Sequence, residues 1–546
     1  MSHDEPAPRT EPEYLGDAPA GPMRSRRVPL LALASLGLAG VAATGAWAAL
    51  SLMSTGEQAA TAVPANAVAY VSLDLDPSAE QKLEAIRIVE KFPALSEELG
   101  LDVQDDLRRW AFEEIRGDSC ADLDYDEDVD PWIGDRVAVA VLPPAGPGGD
   151  PVPMVALQVT DQDAAASGLE AVAACAETDA GGDEGDVAFA FTGDYVVLAE
   201  TQAVADGLVE DATEGALADE AAFTRWTEAA GDPGIVSIYV ASEAISLMSD
   251  LTDELGGGMP GTLGGMPGMF GGLGSTEQLE KMAADFEGLA GVVRFRGGAV
   301  EAEMAAGGLP SGFAGAGDAV VGISDLPAST GAAFGFAVPE GWLQDYLEMM
   351  GEIGGIPLEQ MLAEGEAATG LELPEDIETL LGESVSLVID SDLDAQAVIA
   401  SADPSAVPAG VRVVGDPAEI LPVVDKVKAA VGPDADMLHV LEGDRAVAFG
   451  LNPDYVATLA GDGGLGDVAS FRDVVPEAER ATGVLYVDFA AGDSWVQRLV
   501  EEFSRSMGGE AEPEVEENMG ALGALGVSGW VDGDVQRGLF RLTTRQ

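Results

Sequence analysis

IGDRVAVAV at Ile133–Val141 recurs as LGESVSLVI at Leu381–Ile389, and this recurrence decides the fold expected from the sequence. In both stretches a Gly and an acid precede a run rich in β-branched residues, which is typical of a β-strand. Upstream, GLDVQDDL at Gly100–Leu107 corresponds to GLELPEDI at Gly370–Ile377. Correspondences in the same order along a chain are the signature of an internal repeat.

The correspondence continues downstream of these stretches. Phe223 precedes GIVSIYV, and Phe471 precedes the similar GVLYVDF. Helical and β-strand patterns alternate between these points in both copies, with turn residues between paired strands. We therefore predict that the body of the protein is two tandem copies of an α+β unit with a mainly antiparallel sheet.

An apolar run precedes this body. Val28–Met53 contains 26 residues without a charge and follows Arg24, Arg26 and Arg27. About 20 apolar residues cross a bilayer as a helix, and basic residues mark the cytoplasmic end. We predict a single transmembrane helix, a cytoplasmic N-terminus and an extracytoplasmic location for residues 54–546. Cleavage after Ala48 as a signal peptide is the alternative.

The predicted organisation follows from these two features. It comprises a disordered cytoplasmic tail (1–27), a transmembrane helix (28–53), a linker (54–63), repeat copy 1 (64–310), a linker (311–325) and repeat copy 2 (326–546).

The composition narrows the classes of partner. The net charge is −71, from 97 acids and 26 bases, so a nucleic acid would be repelled. The expected partners are the cell membrane, through the N-terminal helix, and an envelope protein.

Two cysteines, Cys120 and Cys175, form the whole thiol content of the chain. Copy 1 carries about 22 extra residues between its second helix and next strand, and this insert contains Cys120. An even pair of cysteines outside the cytoplasm favours a disulfide, so we predict a structural bond between Cys120 and Cys175.

Two stretches offer metal-ligand chemistry. Asp122–Asp130 places acids at alternate positions, but it lacks the Gly and Glu that an EF-hand requires, so we interpret it as a solvated acidic insert. Met259, Met266 and Met269 in a Gly-rich stretch could bind Cu(I), but no His or Cys is nearby, and a flexible loop is favoured. We predict no metal and no cofactor.

No motif for nucleophilic, zinc-dependent or nucleotide-dependent catalysis is found in the sequence. His439 is the one histidine after the apolar run, and its apolar neighbours favour a strand residue. We predict that the protein is not an enzyme and has no catalytic residues.

Several stretches together resemble a known family. PANAVAYVSLD, LGLDVQDDL, IGDRVAVAV and GDYVVLAET, after an N-terminal apolar run, are similar to uncharacterised actinobacterial membrane-anchored proteins that contain a domain of unknown function. The resemblance implies an extracytoplasmic α+β protein and implies no activity or site residue.

Three functions stay open at this point. The first is an envelope binding or structural module whose ligand cleft lies between the two copies. The second is a carrier or sensor of an apolar small molecule or lipid, which requires an apolar cavity. The third is an envelope hydrolase that uses two carboxylates, which requires two close acids in a cleft.

The disulfide prediction has a direct test. Mass spectrometry of the non-reduced protein should recover Cys120 and Cys175 in one linked peptide. Two free thiols would show that the prediction is wrong.

Overall fold

The computed structural model describes residues 58–74, 79–92, 108–109, 112, 123–144, 146, 149–179, 188–247, 284–309, 320–339, 341–344, 347, 358–394, 396, 403–461, 463–506 and 518–545.

Within these ranges, eight strands come from the N-terminal half: β1 (Ala69–Asp74), β2 (Ile133–Leu142), β3 (Val152–Val159), β4 (Ala188–Thr192), β5 (Tyr195–Ala199), β6 (Val236–Ala241), β7 (Gly288–Arg296) and β8 (Ala299–Gly307). Eight more come from the C-terminal half: β9 (Thr330–Ala337), β10 (Ser384–Asp390), β11 (Ala409–Val414), β12 (His439–Glu442), β13 (Ala446–Gly450), β14 (Gly483–Asp488), β15 (Leu522–Asp532) and β16 (Val535–Thr544).

The described α-helices are α1 (Ala79–Val89), α2 (Gln162–Asp179), α3 (Gln202–Glu214), α4 (Ala221–Ala229), α5 (Leu358–Thr369), α6 (Glu375–Leu381), α7 (Pro417–Val431), α8 (Pro453–Leu459), α9 (Ala469–Val474) and α10 (Ala491–Ser506).

All sixteen strands belong to one antiparallel sheet, in the order β12-β13-β11-β10-β9-β14-β15-β16-β8-β7-β6-β1-β2-β3-β5-β4. The predicted fold class is therefore wrong in dividing the body of the protein into two tandem α+β units. The reason is the pairing of β16 with β8, which runs from Gln536 opposite Ala306 to Thr543 opposite Ala299. The residue pattern within a strand indicates which of its side chains are buried. It does not indicate which other strand it pairs with.

The sheet has the same strand order on both sides of this central pair. Outward from β8 the order is β7, β6, β1, β2, β3, β5 and β4, and outward from β16 it is β15, β14, β9, β10, β11, β13 and β12. Glu303 lies directly opposite Leu539 near the middle of the central pair. We call the line between β8 and β16 the seam.

Alternation along the strands gives the sheet two covered faces. In β2, Ala138 and Ala140 point to a first face, and Val137 and Val139 point to the second. Helices α3, α4, α8 and α9 contribute to the apolar clusters on the first face. Helices α1, α2, α6 and α7 contribute to those on the second face. The core is thus two apolar layers on either side of one sheet.

A cluster of charged side chains crosses the seam on the first face. Arg294 on β7 and Glu301 on β8 are each 2% exposed. The Nε of Arg294 donates to Glu301 at 2.7 Å, and Arg541 on β16 reaches the same carboxylate at 2.9 Å. Glu303 pairs with Arg294 and lies 3.6 Å from Arg537.

Opposite charges compensate one another in this cluster. Burial alone would lower the pKa of Arg294, but hydrogen bonds and charge attraction from Glu303 and Glu301 outweigh it and raise that pKa. Because an unpaired buried charge is costly, each half supplies the charges that the other half needs.

The acidic insert differs in part from the solvated segment that we expected. Asp126 and Asp130 are exposed, but Tyr125 and Val129 are each 4% exposed and pack beside α2. The carboxylate of Asp124 accepts the backbone N–H of Asp126 at 2.9 Å. A short π-helix, Tyr125–Val129, therefore holds the insert against the body.

Some predictions fall outside the described residues. These are the tail (1–27), the apolar run (28–53) and the Gly-rich stretch with Met259, Met266 and Met269. No helix among the described ranges combines the length and the apolar character that a membrane span requires.

The predicted linkers are described in part. In residues 54–63, Ala59–Ala62 form a 3₁₀-helix whose Ala59, Ala60 and Ala62 are buried in the first-face core. In residues 311–325, Ile323–Asp325 form a second 3₁₀-helix, and Ile323 is fully buried.

The charged cluster leads to a stability prediction. Glu301→Gln should lower the free energy of unfolding by about 3 kcal/mol, because Arg541 loses its carboxylate and the buried guanidinium of Arg294 keeps only Glu303. Urea unfolding of the full chain in detergent measures the change.

The matched control is Glu383→Gln. Glu383 pairs with Arg445 at 2.9 Å, but their side chains are 60% and 72% exposed. An exposed pair contributes about 0–1 kcal/mol, so this variant should stay close to the wild type. Equal effects of the two substitutions would contradict the role assigned to the cluster.

Candidate functional site

A cleft opens at one end of the seam, where the turn between β7 and β8 lies beside the end of β16. Its volume is about 450 Å³. The N-terminal half contributes Lys91, Gly297 and Gly298. The C-terminal half contributes Ser470, Asp473, Asp488, Ala490, Ala491, Gly523, Thr543, Thr544 and Arg545. The cleft therefore exists only because the two halves share a sheet.

Asp488 organises the C-terminal wall of the cleft. Its side chain is nearly buried, with the residue 7% exposed. One carboxylate oxygen accepts the backbone N–H groups of Ala490 and Ala491, each at 2.9 Å. The other accepts the Ser470 hydroxyl at 2.6 Å and the Tyr486 hydroxyl at 3.2 Å.

The local sequence explains this arrangement. Asp488 is the last residue of β14, and α10 starts at Ala491, so the carboxylate takes up N–H groups at the beginning of a helix. Trp495 fixes the same corner, because its indole N–H donates to the carbonyl of Asp488 at 2.8 Å. Burial raises the pKa of the Tyr486 phenol well above its ordinary value, so Tyr486 stays a neutral donor.

Lys91 connects the two walls. Its ammonium donates to Thr544 Oγ1 at 3.0 Å and to the carbonyl of Arg545 at 2.6 Å. The guanidinium of Arg545 points into its own half, where it donates to the carbonyls of Leu522 at 3.0 Å and Phe489 at 2.8 Å. Lys91 is thus the cation of the N-terminal half at this site.

Asp473 lies on α9 at the mouth of the cleft, and it is exposed. Its carboxylate has no hydrogen bond or ion pair with the described part of the chain. Among the described residues, the two charged groups available to a molecule in the cleft are therefore the ammonium of Lys91 and the carboxylate of Asp473, one from each half.

The opposite end of the seam has the same backbone plan. There the turn at Gly533 and Asp534 takes the place of the turn at Gly297 and Gly298. Phe223 on α4 contacts Tyr239 edge-on with ring centroids 5.1 Å apart. On α9, Phe471 contacts Tyr486 in the same way at 5.2 Å. The two helices hold equivalent positions.

Charged side chains occupy this second end. Arg225, two residues after Phe223, pairs with Glu287 at 2.9 Å and with Asp534 at 2.8 Å. At the cleft the corresponding positions hold Asp473, Gly523 and Gly298. Asp473 and two glycines thus stand at the cleft where the other end has the ion-paired Arg225, Glu287 and Asp534. The space beside them is open at the cleft.

The described residues that line this cleft include none of those predicted from the sequence. Cys120 lies outside the described residues, and Cys175 lies in α2 but its side chain is not among those described, so their disulfide stays a prediction. His439 begins β12 and is exposed. In the described ranges, no group of three or more His, Cys, Asp or Glu residues is placed to hold a metal ion.

Sequence reasoning missed the cleft residues, although a signal was present. Ser470 and Asp488 occur where the first copy has Ala222 and Ala241. Apolar positions that become polar in one copy of a repeat indicate a site specific to that copy, and a residue-by-residue comparison of the copies would have marked them.

Asp488 and Asp473 should differ in their effect on stability. Asp488→Ala should lower the free energy of unfolding by about 1–3 kcal/mol, because two N–H groups and two hydroxyls lose their acceptor. Asp473→Ala should change it by less than about 0.5 kcal/mol, because the side chain is exposed. Urea unfolding compares them, and a large loss in Asp473→Ala would contradict the assignment.

Comparisons with known proteins agree with an uncharacterised family. No curated protein and no solved structure matches the chain significantly. One family model matches residues 30–400, more than half of the chain, including the part that supplies Lys91, Gly297 and Gly298. The chain belongs to the family described as protein of unknown function (DUF3352).

Proposed function

We propose that the protein is a binding module of the cell envelope rather than an enzyme, and that the cleft at the seam holds a small polar ligand. The observation that carries this proposal is the difference between the two ends of the seam. At one end Arg225 forms ion pairs with Glu287 and Asp534. The equivalent end is open and lined by polar groups.

The dimensions and lining of the cleft support a small polar ligand. A volume of about 450 Å³ lies in the usual range for small-molecule sites, about 300–1,000 Å³. Seven of its twelve lining residues are charged or carry a hydroxyl. An apolar molecule or lipid, the alternative expected from the sequence, would offer no partner to the carboxylate of Asp473 or to the remaining N–H of Lys91, which is unfavourable.

The chemistry of the cleft supports binding over hydrolysis. A carboxylate-dependent hydrolase needs one carboxyl that donates a proton and another that acts as base or nucleophile. Asp488 is committed to four donors from its own half. Asp473 is the single remaining carboxylate among the described residues of the lining, so these residues supply no second one for catalysis.

We place the described body outside the cytoplasm, with residues 54–546 on the outer side of the cell membrane and the N-terminus on the inner side. The support is the apolar run 28–53 behind three arginines and the absence of Lys or Arg after it until Lys82. The strongly acidic composition supports a small ligand or an envelope protein as partner and disfavours nucleic acid.

Blocking the cleft should abolish ligand binding. Ala490 is exposed at the mouth, and Ala490→Trp would fill it without removing the N–H that donates to Asp488. We expect at least one compound in a panel of amino acids, dipeptides, monosaccharides and inorganic phosphate to raise the melting temperature of the full chain in detergent, measured by intrinsic tryptophan fluorescence. Ala490→Trp should remove that increase.

The matched control is Ala457→Trp, which places the same side chain on the exposed surface of α8. It should bind the compound as the wild type does. If no compound in the panel raises the melting temperature, or if Ala490→Trp leaves the increase intact, the cleft is not the ligand site.

A further inference from the structure

We infer that the ligand of the cleft is a small zwitterion that carries an ammonium and a carboxylate group, such as a free amino acid or a short peptide. This inference rests on the proposed function, because it names the ligand of the same site. It is argued from the two charged groups that face the cleft from opposite halves.

Lys91 supplies the group that would bind a carboxylate. An ammonium has three N–H donors, and the contacts to Thr544 and Arg545 use two of them. Within the described residues no carboxylate pairs with Lys91. The third donor is therefore available to an anionic group in the cleft, and the bonds to β16 hold the ammonium in position.

Asp473 supplies the group that would bind an ammonium. At the other end of the seam the equivalent position is Arg225, whose charge is balanced by Glu287 and Asp534. At the cleft the charge is reversed and both balancing positions are glycines, Gly523 and Gly298. A cationic group of a ligand would take the place that the guanidinium of Arg225 occupies at the other end.

The charge of the whole protein selects against a simple anion. A net charge of −71 lowers the concentration of anions near the surface, so a ligand with only negative groups would be repelled. A ligand with only positive groups would meet the ammonium of Lys91. A zwitterion has no net charge and carries one group that suits Lys91 and one that suits Asp473.

The turn between the two charges suits a peptide-like molecule. Gly297 and Gly298 have no side chains and are exposed at the rim of the cleft. Their φ angles of +63° and +75° lie in the left-handed region, which glycine adopts without strain. Because no Cβ stands in the way, a ligand backbone can approach this part of the wall closely.

Titration calorimetry on the full chain in detergent tests the inference. The probes are the twenty amino acids, Gly-Gly and Ala-Ala, and for each that binds, its C-terminal amide and its N-acetyl derivative. We expect both derivatives to bind at least tenfold more weakly than the parent. Lys91→Met should weaken binding of the parent compound at least tenfold and change binding of the amide little. Asp473→Asn should also weaken binding of the parent at least tenfold, but it should change binding of the N-acetyl derivative little.

Lys428→Met is the matched control, because Lys428 also donates to a carbonyl, that of Leu438 at 3.0 Å, but lies on α7 away from the cleft. It should leave binding unchanged. Equal affinity for the parent and its derivatives, or unchanged binding in both Lys91→Met and Asp473→Asn, would overturn the inference.

The outcomes separate this inference from the proposed function. Suppose that Ala490→Trp abolishes the binding of a monosaccharide or phosphate and that no zwitterion binds. The proposed ligand site is then supported, and the inferred ligand class is wrong. If no probe binds in a way that depends on Ala490, both fail.

Discussion

The hydrogen-bonded pairing of β8 with β16 is the constraint on which the rest of the structure depends. Eight residue pairs join the last strand of each half and turn sixteen strands into one sheet. Without it, each half would present a long strand edge with unpaired N–H and C=O groups, which invites aggregation. The pairing also brings the buried Arg294 and Glu301 and the half-buried Arg541 into one row, so charge balance and backbone pairing both stabilise the seam.

The same pairing gives the seam two ends with the same backbone arrangement. The two ends differ in the side chains that they carry. At one end of the seam, the exposed side chain of Arg225 pairs with Asp534 on the turn of the other half. At the other end, Lys91 links the two halves through its hydrogen bonds to Thr544 and Arg545, and a cleft lies beside it. One end of the seam therefore carries exposed ion pairs, while the other combines a tie with the cleft for which we propose a ligand. This division explains why the halves can share a backbone plan and still differ in chemistry.

Much of the local structure could be predicted from the residues. IGDRVAVAV lies in β2 and the SVSLVI part of LGESVSLVI lies in β10, where alternation of residues assigns one face to each apolar layer. The pairing of β8 with β16 could not be predicted, because it depends on two edges far apart in sequence. The acidic insert was read as solvated because its acids dominate the composition, yet Tyr125 and Val129 are enough to anchor it. Asp488 was missed because its role depends on Ser470, Tyr486 and two N–H groups that only the folded chain brings together.

Hydrogen–deuterium exchange of the full chain tests the central claim, that the two halves form one sheet through the seam. Amides in a continuous sheet open together and exchange slowly, whereas those at an unpaired edge exchange quickly. Peptides that cover Ala299–Gly307 and Val535–Thr544 should exchange as slowly as those that cover Ile133–Leu142 and Ser384–Asp390. Rapid exchange confined to the two seam strands would show that the halves are separate sheets and would contradict both the join and the cleft built on it.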